Sequence, residues 1–279
     1  MKIGCCSNML YRESARTDSE NSTVSERLAQ TGFEFIERIA RAGFDYVELP
    51  LAQVTALIEA EFKILQEQLK TSDITCPACN NFFPTDIRLT GPDVNDAQVD
   101  AYVTKALQRA AALGASRVVF GSGPAKNVPT GFPMAEGYRQ VQRMLKRIAP
   151  VALANKITIA IEPLRKQECN LINTFAEGCQ LARDVDDASV KVLVDYYHLG
   201  TEREPAHHII DNAELLCHVH TARLAERGFP TELDDELNLQ FYQALKTINY
   251  SGGISLEAYT NDFAREAPAA LEFLRQQIC

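Results

Sequence analysis

The sequence has few basic residues and no long apolar stretch, and both absences argue against whole classes of function. Lysine and arginine together number 28 against 37 aspartates and glutamates, which gives a net charge of −9. Nucleic acids and anionic membranes are bound through basic patches, so neither is an expected partner. No run of about 18 apolar residues occurs, so no membrane span is expected. The apolar stretch in the opening MKIGCCSNML is too short to predict a signal peptide.

Histidine is scarce, and the glycine pattern of dinucleotide sites is missing. The chain has five histidines, which together with its acidic charge disfavours a multi-zinc phosphodiesterase acting on abasic DNA. The loop GSGPAKNVPTGFP contains Gly121 and Gly123, but Pro124 follows and the third glycine of GxGxxG is absent. An open doubly wound sheet needs a glycine-rich first turn, so that fold is only the second choice.

Cysteine is present eight times, and several of these residues lie inside apolar, strand-like runs. This usage is typical of reduced, buried thiols and predicts a cytoplasmic protein. Cys76-Pro-Ala-Cys79 is a lone CxxC without a second pair or a thioredoxin-like context, so we interpret it as structural.

Strand-like and helix-like segments alternate along the whole chain. The apolar runs that predict strands are MKIGCC, DYVELPL, DITCPACNNFFP, SRVVFGSG, KITIAIEP, VKVLVDYYH, LLCHVHT and GGISLEAY. Helical patterns separate them, including one long helix over residues 51–72. Residues 7–32 form a polar segment after the first strand, and we expect it to fold over the catalytic face. With 46% hydrophobic residues and no low-complexity linker, residues 1–279 predict a single α/β domain, a (β/α)8 TIM barrel.

Four polar side chains follow four consecutive apolar runs in the second half of the chain. They are Glu162, Asp195, His220 and Glu257, and the gaps between them are 33, 25 and 37 residues. One βα unit of such a barrel takes about 30 residues, and catalytic residues lie at the C-terminal ends of its strands. The spacing therefore predicts that all four meet at one mouth of the barrel.

Three carboxylates and an imidazole that converge on one point cannot all stay ionised without compensation, and a divalent cation supplies it. A carboxylate-rich set with one imidazole favours Mn²⁺, with Mg²⁺, Co²⁺ or Zn²⁺ as the other candidates. A substrate with adjacent carbonyl and hydroxyl oxygens could chelate the ion. The ion would then stabilise an enediolate while nearby carboxylates move the α-proton.

Three loop residues lie shortly after these strand ends and could surround the same centre. They are Glu168, His198 and Arg227. Each is either a substrate-binding group or an ordinary surface charge. His218 shares a strand face with His220 one layer deeper, which makes it a weaker ligand candidate or a core histidine.

The motifs IEPLRKQE, VDYYH, HVHTARLAERGFP and SLEAY resemble the sugar isomerase/epimerase family with xylose isomerase-like TIM barrels. This family includes D-tagatose 3-epimerase-type ketose epimerases and hydroxypyruvate isomerases, and the resemblance covers essentially the whole chain. It implies an isomerase that uses a divalent metal and acts on a sugar or keto-acid substrate.

The resemblance also implies a role for each candidate residue. The metal ligands would be Glu162, Asp195, His220 and Glu257. Glu162 and Glu257 would also exchange protons with opposite faces of the enediolate. The groups that hold substrate oxygens would be Glu168, His198 and Arg227. Two segments depart from the pattern, since LRKQE stands where relatives often carry Asn-Arg and TARLAER where they often carry an Asn-Pro turn.

Several alternatives stay open from the sequence. Ketose epimerisation and aldose–ketose isomerisation share the enediolate and differ in the carbon that is reprotonated. A metal-dependent dehydratase of an inosose or a dehydroshikimate-type substrate is a second class on the same barrel, and a non-enzymatic binding barrel is a third. A homodimer or homotetramer fits a barrel of this kind, although no exposed apolar stripe in the sequence requires one.

Overall fold

The computed structural model describes residues 1–10 and 23–278 of the chain. Within them, eight parallel strands close into a barrel in the order of the sequence. The strands are β1 Lys2–Cys6, β2 Tyr46–Pro50, β3 Thr75–Asn80, β4 Arg117–Phe120, β5 Thr158–Ile161, β6 Val190–Asp195, β7 Leu216–Thr221 and β8 Gly253–Leu256. The predicted (β/α)8 TIM barrel is confirmed.

Helices return the chain from the end of one strand to the start of the next, which keeps the strands parallel. Their limits in the described residues are α1 Val24–Gln30, α2 Ile36–Ala42, α3 Leu51–Ala56, α4 Glu59–Thr71, α5 Asp96–Ala112, α6 Gly123–Lys126, α7 Met134–Ala154, α8 Phe175–Val185, α9 Tyr196–Thr201, α10 His207–Asp211, α11 Glu236–Thr247 and α12 Phe263–Ile278. The ring is completed by β1 and β8, where Lys2 pairs with Gly253.

The alternation of side chains along the strands decides which residues face the barrel interior. On β5, Ile159 and Ile161 belong to the large core between strands and helices, whereas Ala160 belongs to a small interior cluster that also contains Leu193 of β6. Residues two positions apart on a strand share a face. Glu162 is therefore in phase with Ala160, and Asp195 is in phase with Leu193, so both carboxylates face inward.

The helix predicted over residues 51–72 is wrong as a single element, because α3 ends at Ala56 and α4 begins at Glu59. Buried Arg109 of α5 explains the break. Its Nη1 donates to the carbonyl oxygens of Val54, Thr55 and Leu57 at 2.6, 3.2 and 2.6 Å. These carbonyls have lost their helical partners, and the guanidinium satisfies them.

The strand predicted over VKVLVDYYH is also too long. β6 ends at Asp195 and α9 starts at Tyr196. The Asp195 side chain accepts a hydrogen bond from the backbone N–H of Tyr197 at 2.9 Å, so Asp195 is the N-cap of α9. One residue thus ends the strand, begins the helix and turns the chain at the barrel rim.

The prediction that residues 7–32 cover the mouth falls partly on residues 11–22, which lie outside the described residues, and it stays a prediction. The described parts of the segment are packed onto the barrel. Ser7 Oγ donates to the Thr31 carbonyl at 2.7 Å, and Arg27 Nε on α1 donates to Glu61 on α4 at 2.9 Å.

The cysteines match the expectation of buried, unbridged thiols. Of the seven in the described residues, all are free and six are buried. Cys76 and Cys79 have their sulfurs 3.9 Å apart on β3. Among the helices that the structure describes, none combines the length and apolarity needed to cross a bilayer.

Candidate metal centre and active site

The four predicted strand-end residues meet at the C-terminal mouth of the barrel, and we call them the mouth cluster: Glu162, Asp195, His220 and Glu257. One candidate ligand atom from each lies within 4.8 Å of those from the other three. All four are buried, with at most 6% of any residue exposed. The predicted convergence is therefore present, while the ligand role of each residue stays a prediction.

Backbone pairing fixes the two glutamates at the rim. The Glu162 N–H donates to the Phe120 carbonyl at 3.1 Å, and the Glu257 N–H donates to the Thr221 carbonyl at the same distance. Each glutamate thus extends the hydrogen-bond ladder one residue past its strand, which leaves little freedom in where its side chain begins. Gly121 makes room for one of them, because a Cβ there would lie 2.2 Å from Glu162 Oε2.

His220 joins the two carboxylates. Its Nδ1 lies 3.2 Å from Glu162 Oε1 and 3.2 Å from Glu257 Oε2. Arg227 completes the ring of charges, with Nη2 at 2.6 Å from Glu257 Oε2 and 3.2 Å from Asp195 Oδ2. Three acids therefore share one histidine and one arginine, which leaves a net negative site unless protons or a cation are bound.

Burial and mutual repulsion shift the proton affinities in the cluster. Burial, together with Glu257, raises the pKa of Glu162 to about 7. Burial also raises the pKa of Asp195 to about 6 against the opposing charge of Arg227. Burial alone would raise the pKa of Glu257 too, but Arg227 and His220 outweigh it and lower the pKa. The pKa of His220 is raised, because nearby Glu48 and Glu257 overcome its burial.

The donor set fits a divalent cation. Three carboxylates and one imidazole nitrogen point at a common centre, and oxygen-rich sets of this kind suit Mn²⁺, Mg²⁺ or Co²⁺. The raised pKa values of Glu162 and Asp195 show that the cluster has too little positive charge to keep both carboxylates ionised. A cation that displaced the bound protons would supply that charge.

The three predicted substrate-binding residues lie beside the cluster. His198 Nδ1 accepts a hydrogen bond from the Arg165 N–H at 3.2 Å. Its buried Nε2 lies 3.6 Å from Asp195 Oδ2 and has no hydrogen-bond partner in the part of the chain that the structure describes. Glu168 Oε1 is 3.9 Å from Arg227 Nη1. The structure thus brings all three together, but their contact with a substrate stays a prediction.

Arg165 stands in the LRKQE segment that departs from the family pattern, and it is part of the same group. Its Nε donates to Glu168 Oε1 at 2.7 Å. The guanidinium groups of Arg165 and Arg227 lie 4.8 and 4.6 Å from the centre of the Tyr197 ring. Tyr197 therefore fixes both arginines through cation–π contact at the edge of the site.

Three further buried polar residues surround the cluster and were not among the predicted site residues. Glu48 in the middle of β2 contacts His220, with its Oε1 3.0 Å from Nε2. Asn80 Nδ2 donates to Glu257 Oε1 at 3.3 Å, and Lys126 Nζ donates to the backbone carbonyl of Glu162 at 2.9 Å. A polar side chain inside an apolar run marks Glu48 in DYVELPL and Asn80 in DITCPACNNFFP as candidates without showing their role, and no such pattern marks Lys126.

A model of one protein family matches most of the chain. It is described as the Xylose isomerase-like TIM barrel, and it matches residues 36–277. A solved structure of D-psicose 3-epimerase with D-tagatose from Clostridium cellulolyticum H10 has a TM-score of 0.81 over 100% of this chain and 99% of that chain. Its sequence identity is 21%, so this likeness shows a shared fold.

Two curated relatives show detectable sequence identity. A probable ketose 3-epimerase of Synechocystis sp. is 26% identical over 165 residues, covering 57% of this chain and 55% of the relative. A D-psicose 3-epimerase of Agrobacterium fabrum is 34% identical over 106 residues, covering 37% of this chain and 35% of the relative. The aligned regions span less than two thirds of either relative. The family match itself runs from α2 to α12 and includes the whole mouth cluster, and this chain therefore belongs to the xylose isomerase-like TIM barrel family.

Proposed function

We propose that this protein is a divalent-metal-dependent ketose epimerase. The observation that carries the proposal is the placement of Glu162 and Glu257. These buried carboxylates come from β5 and β8, and each lies 3.2 Å from the same nitrogen of His220. Two carboxylates fixed around one centre are what proton removal and return at a single carbon require. The names of the curated relatives, which are ketose 3-epimerases, support the same reaction.

The mouth cluster would hold the metal, and Mn²⁺ is our first choice because three of its four donors are carboxylates. When bound, such an ion supplies Lewis-acid polarisation of a substrate carbonyl. Around it, Arg227 would leave its carboxylate partners and donate to substrate oxygens. His198 Nε2, which is buried beside Asp195, would donate a further hydrogen bond, and Glu168 would accept one.

Glu162 and Glu257 would divide the proton transfer between them. One removes the proton from the carbon next to the carbonyl, and the other returns a proton from the opposite side. A 1,2-isomerisation would need only one base on one face, so the second buried carboxylate favours epimerisation. Because the relatives are epimerases, we also prefer epimerisation to dehydration.

A panel of free ketoses, sugar phosphates and keto acids, incubated with the Mn²⁺-loaded protein in D₂O, tests the proposal. We expect a ketose product that is inverted at one carbon and carries one deuterium there. Protein stripped by a chelator should be inactive and recover with Mn²⁺. An aldose product would show that the reaction is an isomerisation instead of an epimerisation. A product that has lost water would favour the dehydratase. If the protein binds Mn²⁺ but converts no compound of the panel, the result would count against a sugar-processing enzyme.

A further inference from the structure

Glu48 is a fully buried carboxylate that lies in the barrel interior, below the mouth cluster. It is 0% exposed, and in the described part of the chain its ion-pair partners are the two histidines of β7, His218 and His220. An acid buried without an arginine or lysine partner needs several hydrogen-bond donors to stay there. Its neighbours show what those donors are.

Both carboxylate oxygens of Glu48 are used. Oε1 lies 3.0 Å from His220 Nε2. Oε2 lies 2.9 Å from His218 Nε2 and accepts from Ser255 Oγ at 2.7 Å. Tyr46 Oη lies 2.8 Å from the same Ser255 hydroxyl and can donate to it. A carboxylate can only accept, so both histidines must direct an N–H at Glu48 from Nε2.

This arrangement selects one side of the His220 ring for the metal. A neutral imidazole carries one proton, and a ligating nitrogen must carry none. With the proton held at Nε2 by Glu48, Nδ1 is the nitrogen left to ligate. Nδ1 is also the atom that faces Glu162 and Glu257 at 3.2 Å.

We propose that Glu48 is the positioning residue of the metal centre, holding the His220 ring in the orientation and tautomer in which Nδ1 binds the cation. The inference rests on the proposed function, because it assumes that the mouth cluster holds a metal. Carboxylates that accept from the far nitrogen of a ligating histidine raise metal affinity in this way. Glu48 would act through His220 and would not touch the substrate.

The packing behind Glu48 supports a fixed orientation. A Cβ on Gly4 would lie 2.1 Å from the Tyr46 ring, and a Cβ on Gly253 would lie 2.6 Å from the Tyr46 hydroxyl. Both glycines therefore let Tyr46 lie against the inner wall, from where it reaches Ser255. Ser255, which Tyr46 contacts from behind, and His218 hold Oε2, which leaves Oε1 aimed at His220.

The affinity for Mn²⁺ alone, measured from the electron paramagnetic resonance signal of the free ion, tests the proposal without any sugar. We expect Glu48→Gln to weaken Mn²⁺ binding by about 10- to 100-fold, the usual effect of losing such a partner. Glu48→Asp keeps the charge but withdraws it by one methylene, so we expect a smaller loss. Glu61→Gln is the matched control, since Glu61 is 1% exposed on α4 and pairs with Arg27 instead.

A second measurement on wild-type protein does not depend on any variant folding. Long-range ¹H–¹⁵N spectra of the Zn²⁺-loaded protein report which ring nitrogen of His220 is protonated, and five histidines are few enough to assign by single substitutions. We expect the proton at Nε2. A proton at Nδ1, or a Glu48→Gln affinity within twofold of wild type, would overturn the inference and leave the epimerase proposal standing. Wild-type protein that binds no Mn²⁺ would overturn both.

Discussion

Glu162 and Glu257 share one nitrogen of His220 but have different environments. The carboxylate of Glu257 has a cationic partner, because Arg227 donates to its Oε2 at 2.6 Å. Lys126 lies beside Glu162 but donates to its backbone carbonyl and not to its carboxylate. The pKa of Glu162 is accordingly raised to about 7 while that of Glu257 is lowered. In the metal-free protein Glu162 is therefore the acid that binds a proton more readily, and Glu257 is the one that stays ionised.

Replacing either glutamate with glutamine keeps its shape and one ligating oxygen but removes the base. We expect Glu162→Gln and Glu257→Gln each to retain Mn²⁺ and to lose epimerisation by about 10² to 10⁴-fold, the usual contribution of a general base. One variant should still exchange the substrate hydrogen with D₂O from a single face. Turnover, deuterium exchange and metal content are the measurements. Wild-type rates in both variants with metal bound would mean that the two residues are ligands only.

Gly121 lies so close to Glu162 that a methyl group cannot be added without moving the carboxylate. A Cβ there would meet Glu162 Oε2 at 2.2 Å. We expect Gly121→Ala to weaken Mn²⁺ binding by about tenfold or more, since a displaced ligand costs affinity. Titration with Mn²⁺ is the measurement, and Gly228→Ala is the control because its nearest contact would be 3.5 Å away. Equal affinities in the two variants would contradict the expected displacement of Glu162.

The mouth cluster was predictable from the sequence because its members end strands at the spacing of the barrel repeat. Glu48 was not, because its role depends on His220, which lies 172 residues further along the chain. Nothing local distinguishes a glutamate that ends a strand at a solvated rim from one that accepts hydrogen bonds in the interior. The same holds for Lys126, which is fully buried against the backbone of Glu162.

At the scale of elements, the break between α3 and α4 shows how one side chain sets the limits of helices on a different part of the chain. The local sequence from 51 to 72 has a helical pattern throughout, so a single helix was the natural prediction. The three carbonyls that end α3 are bound by Arg109, which lies 52 to 55 residues away. Tertiary contact has overridden local propensity here.

Loss of Arg109 should therefore destabilise the fold without touching the active site. Arg109→Ala leaves three carbonyls short of a donor and removes the cation–π contact with Phe62 at 4.7 Å. We expect a loss of about 2 to 5 kcal/mol in the free energy of unfolding, the range for breaking a buried polar network. Urea denaturation measures it, with Arg139→Ala on the exposed side of α7 as the control. Equal losses in both variants would show that the carbonyl contacts are unimportant.

At the scale of the whole molecule, the proton affinities of the mouth cluster tie stability to pH and to metal. Glu162 and Asp195 have pKa values of about 7 and 6 in the folded protein, above those of an unfolded chain. The pKa of His220 is raised as well. Between about pH 4.5 and 7 these three groups bind more protons in the metal-free folded state than in the unfolded state, so their contribution to stability falls as the pH rises. The lowered pKa values of His198 and His218 oppose this below about pH 6.5, but they are two groups against three.

We expect the metal-free protein to melt at a lower temperature at pH 8 than at pH 5. Mn²⁺ should reverse this trend, because at pH 8 it meets fewer competing protons. At 100 times its Kd it should add about 2.7 kcal/mol at pH 8 and much less at pH 5. Thermal melts with and without a chelator measure both effects, and Asp195→Asn should flatten the pH dependence. A metal-free protein that grows more stable from pH 5 to 8 would contradict these proton affinities.

The barrel itself was predictable because eight apolar runs alternate with helical segments at an almost constant repeat. Strand existence and order follow from that repeat, and both are confirmed. The length of β6 was not predictable to the residue, since Asp195 ends it by capping α9. Substrate identity depends on loops whose composition has no such repeat, so the repeat predicts the barrel and not the substrate.

The seam between β1 and β8 has a kinetic consequence. It joins Lys2 to Gly253, a pairing between distant parts of the chain that folds slowly because a long loop must be closed first. The contact between Glu48 of β2 and His220 of β7 spans the same closure. The proposed metal site therefore gains its Glu48 contact only after the ring has formed. Bound metal should slow the opening of the ring far more than it speeds closure, so it would lengthen the lifetime of the native state and leave the folding rate almost unchanged.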